Sequence, residues 1–214
     1  MKTHIAAFAF AALLSGAAQA QMAKPAESKP TIVLVHGAFA DSSSWNGVVG
    51  KLTNDGYSVV AAAVPLRSVK GDAEYVSSLV SSIAGPVILV GHSYGGSVIS
   101  VAASGKSNVK ALVFVAGFAP ETGESAASLG ARFPTGTLGA TLAPPVPLID
   151  GNSDLYILQA KYWQQFAADV PEKDAVQMAA AQRPITQSAL GEPATAMAWR
   201  TRSEERRVGK ECCR

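Results

Sequence analysis

Six residues, Gly91-His92-Ser93-Tyr94-Gly95-Gly96, constrain this chain more than any other stretch. Before them runs Pro86-Val-Ile-Leu-Val90, short, apolar and β-branched, which reads as a buried strand. After them Ser97-Val-Ile-Ser-Val-Ala-Ala103 continues as a helix of small residues. A Gly-x-Ser-x-Gly turn between a strand and a helix is the context of a nucleophile elbow, a serine at the tip of a sharp turn. Such a turn leaves almost no space around Ser93. Gly91 and Gly95 provide that space, and Gly96 lets the helix pack close to the strand.

The elements on either side agree with that reading. Thr31-Ile-Val-Leu-Val35 is apolar on both faces, as in a parallel strand covered by helices on each side, and it runs into His36-Gly37-Ala38-Phe39. Asp41 and the serines at 42–44 offer helix N-caps. Trp45, Val48, Val49 and Leu52 then recur at helical spacing up to Gly56. Tyr57–Ala62 is the next strand, and Asp72 is placed to cap a helix whose apolar face is Val76, Leu79, Val80 and Ile83. Val109–Ala116 makes a fourth strand. Strict alternation over residues 30–116 predicts an α/β fold: a parallel sheet with helices on both faces and right-handed crossovers.

From Gly117 to about Pro193 the strand pattern disappears. Gly, Pro, Ser and Thr dominate residues 120–153, followed by helical spacing over Asp154–Ala168 and a second helix from Pro171-Glu172 to before Pro184. An insertion after the fourth strand lies over the carboxyl ends of the strands, where open α/β sheets bind ligands. Residues 120–193 are therefore expected to form a helical lid.

The body, 30–201, is expected to be one domain, since 214 residues with 48% hydrophobic side chains can bury a large core. The net charge of +2 and the lack of a basic block in the body argue against nucleic acid as a partner. Residues 1–20 read as an export signal: Lys2, an apolar run from Ile5 to Leu14, and a small-x-small site at Ala18-Gln19-Ala20. The run is too short to span a bilayer, so the mature protein is expected to be periplasmic or secreted, without a membrane partner. Residues 21–29 read as a linker.

A serine hydroxyl is a poor nucleophile unless a base takes its proton and a third group orients that base. Attack on an acyl group also needs backbone donors aimed at the oxygen that becomes negative. The amide of Tyr94 can supply one. The turn His36-Gly37-Ala38-Phe39 is placed to supply another, with Gly37 permitting close approach.

These segments, with Ala-Leu-Val-Phe-Val-Ala-Gly117, resemble the α/β-hydrolase superfamily over residues 30 to about 200, and within it the compact esterase and hydroxynitrile-lyase group. The resemblance implies Ser93 as nucleophile, oxyanion amides from Ala38 and Tyr94 with Phe39 as a secondary donor, and hydrolysis of a small carboxylic ester. It implies no metal or organic cofactor. A lyase using the same groups as an acid–base device is the alternative, with Lys161 as the nearest candidate cation. A binding module that keeps the pocket without catalysis is another.

The family places its acid and histidine after the serine. Here the three histidines are His4, His36 and His92, so no base occupies the family position. Glu121 and Glu124, after the fourth strand, are the weak candidates for the acid. His36 is read as bonding loop backbone, and His92 as pointing away from the Ser93 hydroxyl. Residues 202–212 differ from everything before them in dense charge and lack of period, and resemble a translated DNA-sequencing adapter. The segment 202–214 carries five basic and three acidic residues, the whole net charge of the chain, and both cysteines, Cys212 and Cys213. The expectation is a body interrupted near Trp199–Thr201, lacking two strand–helix units or roughly 60 residues, and inactive as written.

Overall fold

The computed structural model describes residues 28–133 and 136–201, and the backbone of 203–207. The expected export signal and the two cysteines lie outside the described residues.

Strand β1 (Thr31–Val35) is followed by a short 3-10 helix, Ser42–Trp45, whose N-cap Asp41 accepts from the Ser43 amide at 2.7 Å. Helix α1 (Asn46–Asn54), β2 (Val59–Ala62), α2 (Val69–Ser81), β3 (Val87–His92), α3 (Tyr94–Ala102) and β4 (Val109–Val115) then alternate. The N-cap of α2 is Ser68, which accepts from the Gly71 amide; Asp72, expected to cap, sits inside the first turn. Its carboxylate is buried and turned to another task, described below. The capping role passes to the serine one turn earlier, and the Glu192 carboxylate takes the amides of Val69 and Lys70 as well.

The lid follows: α4 (Ala126–Gly130), β5 (Val146–Pro147), β6 (Ser153–Leu155), α5 (Gln159–Phe166), α6 (Glu172–Ala181), β7 (Ile185–Thr186) and α7 (Gln187–Gly191). It is not purely helical. Strands β5, β6 and β7 form a small antiparallel sheet, and Asp154 and Leu155, expected in a helix, pair with Thr186 and Ile185. The backbone partners in β7 and the burial of Leu155 outweigh the helical spacing of the side chains, so the helix begins only at Gln159.

The main sheet is parallel, in the order β2-β1-β3-β4, with β8 (Ser203–Arg207) beyond β4. Within the charged segment read as lacking strand period, Ser203–Arg207 thus forms a strand. The outer edge of β4 offers a row of unpaired amides and carbonyls, and an extended chain satisfies them whatever its side chains are. Side chains alternate between two layers. Val33, Val35, Leu89, Leu112 and Phe114 join α2, α3 and the lid in the larger core, while Ile32, Leu34, Ile88 and Val90 pack with Trp45, Val49 and Leu52 on the other face. Among the described residues no helix is long and apolar enough to cross a membrane.

Candidate active site

Ser93 occupies the single-residue turn between β3 and α3 with φ 51° and ψ −123°. That backbone region is unfavourable for any residue with a Cβ and costs about 1–3 kcal/mol. The surroundings hold it there. The Ser93 carbonyl accepts from the amides of Gly96 at 2.9 Å and Phe118 at 3.0 Å, and Ser93 N–H points to Val115 O at 3.4 Å. The half-buried Ser93 side chain stands at the amino end of a nine-residue helix, where the macrodipole favours developing negative charge.

The glycines of the motif are required by contact. A Cβ on Gly91 would sit 2.6 Å from Gly95 O, and one on Gly95 would sit 2.5 Å from Val35 O. One on Gly96 would run into Phe118 O. Gly37 meets the elbow itself: its Cβ would lie 2.8 Å from that of Ser93 and 2.9 Å from His92 O. The turn after β1 is thereby brought against Ser93, with Ala38 and Phe39 next in the chain. Phe39 is at φ 61°. Tyr94 is the first residue of α3, so its amide has no carbonyl one turn back to bond. Ser93, Gly37, Ala38, Phe39 and Tyr94 thus share one corner of the sheet's carboxyl end.

His36 is fully buried. Val64 N–H donates to its Nε2 at 3.1 Å, which leaves the proton on Nδ1, 3.0 Å from Gly37 O. Burial, with the Arg183 charge nearby, lowers its pKa, so it is a neutral tie between the turn after β1 and the exit of β2. His92 packs edge-on against Trp45 with ring centroids 6.4 Å apart, and burial lowers its pKa too.

The acid candidates are engaged elsewhere. Glu121 takes Arg200 through both carboxylate oxygens, and Glu124 pairs with Arg132 while accepting the Glu121 amide at 2.9 Å. Neither has a histidine partner. Lys161 is exposed on α5. The groups that sequence reasoning missed lie behind and above the elbow. Tyr94 donates its hydroxyl to Asp72 at 2.9 Å, both side chains buried, and Asp72 also takes the amides of Leu66 and Arg67. Burial pushes the Asp72 carboxyl up to about 6 against these donors. Above, Tyr162 of α5 donates to Phe39 O at 2.8 Å, and Phe166 packs edge-on to Phe39 at 6.2 Å. The lid therefore bears directly on the His36–Phe39 turn, leaving there a cavity of about 20 Å³ lined by Ala40, Asp41, Tyr162 and Gln182 among others. Among the described residues no cluster of His, Cys, Asp or Glu is arranged to hold a metal.

Solved structures share this fold. Tomato methylketone synthase I with bound 2-tridecanone superposes with a TM-score of 0.69 at 18% identity, over 85% of this chain and 79% of that one. Polyneuridine aldehyde esterase gives 0.72 at 14%, over 84% and 79%. A pyrethroid hydrolase from Sphingobium faniae gives 0.60 at 20%, over 78% and 72%. No curated protein matches the chain. The pattern of the alpha/beta hydrolase family matches residues 32–209, from β1 through the elbow to β8. The chain belongs to the alpha/beta hydrolase family.

Proposed function

We propose that the chemistry of this fold is hydrolysis of a small carboxylic ester through an acyl-enzyme on Ser93. The observation that carries it is the strained Ser93 backbone, φ 51°, pressed against Gly37 of the turn that presents Ala38 and Phe39. Attack by Ser93 Oγ on the ester carbonyl would form a tetrahedral oxyanion facing the amides of Tyr94 and Ala38. Collapse would expel the alcohol and leave the acyl group on Ser93, and water would then release the acid. A serine at position 93, where family members that open epoxides or cleave halides use a carboxylate, supports acyl transfer. The structural neighbours named as an esterase and a hydrolase agree in reaction class.

Without an imidazole after residue 93 the serine has no base in the family position, so the 214-residue chain is expected to turn over esters barely or not at all. A fluorophosphonate probe tests both parts. Slow labelling confined to Ser93 and lost in Ser93→Ala is expected. Labelling that persists in Ser93→Ala sinks the nucleophile assignment, and rapid stoichiometric labelling sinks the inactivity. Export through residues 1–20 belongs to the same proposal. Amino-terminal sequencing of the secreted or periplasmic product, expected to begin near Gln21, checks it.

A further inference from the structure

Phe39 holds a positive φ of 61°. For a bulky side chain that backbone region is a genuine outlier, and it persists only where the surroundings over-determine it. At Ser93 the positive φ is held from close by in the chain, since its carbonyl takes the amides of Gly96 and Phe118. At Phe39 the hold comes from the lid. The Phe39 carbonyl accepts from the Tyr162 hydroxyl at 2.8 Å, across 123 residues of chain. Phe39 is 3% exposed, and its ring meets Phe166 edge-on at 6.2 Å. Tyr162 and Phe166 stand one turn apart on α5 with ring centroids 5.0 Å apart, so one face of one helix supplies both contacts.

Tyr162 is a fixed and constant donor. It is 1% exposed and packed into the larger core. The carboxyl end of α5 is tied off by Ala167 N–H to Trp163 O and by Trp163 Nε1–H to Val170 O, each at 3.0 Å. Burial and the Asp41 charge push the Tyr162 phenol up, so the hydroxyl keeps its proton. What it holds is a peptide unit. The φ of Phe39 sets the unit that carries the Phe39 N–H and the Ala38 carbonyl. Relaxing that angle through a flip of the unit exchanges the directions of the two groups, and an acceptor then stands where a donor stood. The unit is the next along from Gly37, whose would-be Cβ lies 2.8 Å from that of Ser93. A flip there changes the donors offered beside the elbow.

We propose that Tyr162 is a positioning residue for acyl transfer: from the lid it holds the Phe39 backbone at positive φ and so keeps the donors of the turn after β1 aimed at the oxyanion formed on Ser93. Seating the lid and assembling the oxyanion site are then one event. The rate part rests on the acyl-transfer reading, and the backbone part does not. Fluorophosphonate labelling of Ser93 in the full chain, over a range of probe concentrations, separates the limiting rate from the half-saturating concentration. In Tyr162→Phe the limiting rate should fall about tenfold with half-saturation unchanged, because only stabilisation of the developing negative charge is lost. Thr137→Val, which removes the hydrogen bond donated to Gln165 of the same helix, should keep the limiting rate within about twofold. A tyrosine that only steadied the lid would lower the amount labelled and leave the limiting rate alone. An unchanged limiting rate, a change confined to half-saturation, or an equal fall in Thr137→Val overturns the proposal.

NMR of the same chains gives the second readout. Backbone couplings and carbon shifts at Phe39 should report a positive φ in the unaltered chain and lose that signature in folded Tyr162→Phe. A signature that survives the substitution, or that the unaltered chain lacks, overturns the proposal as well. If Tyr162→Phe does not fold, Phe166→Leu takes its place; a smaller fall in rate with partial loss of the signature is expected, and neither change overturns the proposal. Absence of Ser93 labelling in the unaltered chain removes the acyl-enzyme, while the Phe39 signature still decides whether Tyr162 holds the turn.

Discussion

Tyr94 reaches in two directions at once: its amide opens α3 beside Ser93, while its hydroxyl donates to the buried carboxylate of Asp72 at 2.9 Å. Asp72 in turn holds the amides of Leu66 and Arg67, the loop on which the lid is fastened. One carboxylate thus ties the elbow to the lid's anchorage.

That carboxylate makes stability depend on pH with a definite sign. Its folded-state pKa is raised to about 6 from 3.8, so the folded state binds the proton more tightly than the unfolded one. The stabilisation is complete below about pH 4 and is lost as pH rises through about 6. Comparing wild type with Asp72→Asn in urea melts from pH 4 to 7, the wild type should lose up to about 3 kcal/mol relative to the variant. Tyr94→Phe should cost more at pH 7 than at pH 4, because a hydrogen bond to an ionised acceptor is the stronger one. A difference between wild type and Asp72→Asn that is flat, or grows with pH, contradicts this assignment.

Strain at Ser93 gives a second expectation. Ser93 sits at φ 51°, a region that glycine enters freely and alanine does not. Ser93→Gly should therefore be more stable than Ser93→Ala by about 1–2 kcal/mol, with both variants refractory to a phosphonate probe. Thermal melts of the two side by side decide it. Equal midpoints would mean that the turn carries no strain.

The elbow was legible in the sequence because its demands are local. Three glycines and a serine at fixed spacing, between a β-branched run and a helix of small residues, satisfy contacts that lie within a few residues or on adjacent strands. The alternation of β1 to β4 was legible for a similar reason, since each strand is apolar on both faces. Asp72 and Arg67 were not legible as a pair of anchors. Their partners lie 22 residues away at Tyr94 and 87 away at Asp154, and no periodicity encodes a contact between elements. Asp154 looked helical for the same reason: its strand partner Thr186 appears only once the lid has folded back.

Contact at the glycines predicts opposite outcomes for the same substitution. A Cβ on Gly95 would stand 2.5 Å from Val35 O, backbone of the central strand that cannot yield cheaply. Gly95→Ala should cost at least about 3 kcal/mol or prevent folding. Gly50, inside α1, has nothing within 4 Å of its would-be Cβ. There alanine should stabilise by about 0.5–1 kcal/mol through helix propensity and a less flexible unfolded chain. Denaturant midpoints of both variants test the pair, and a neutral Gly95→Ala would show that the turn after β1 does not press on the elbow.

Arg67 is one of the side chains that fasten the lid to the sheet. Arg67 takes Asp154 at 2.5 Å from β6 and Pro184 O at 2.6 Å ahead of β7, while its own carbonyl receives the Thr186 hydroxyl. Truncating it leaves a largely buried carboxylate and a carbonyl unpaired, a cost of about 1–3 kcal/mol. Because both orphaned groups belong to the lid, the loss should be local. In Arg67→Ala, amide hydrogen exchange is expected to accelerate at Thr186, whose N–H bonds Leu66 O at 3.1 Å, and at Ile157, held by Gln182. The amides of β1 and β3, paired inside the sheet, should keep their protection. Arg67→Lys should recover only part of the protection, since an ammonium cannot serve two acceptors with the geometry of a guanidinium fork. Acceleration spread evenly over sheet and lid would show instead that the two unfold as one unit and that Arg67 is not a fastening between them.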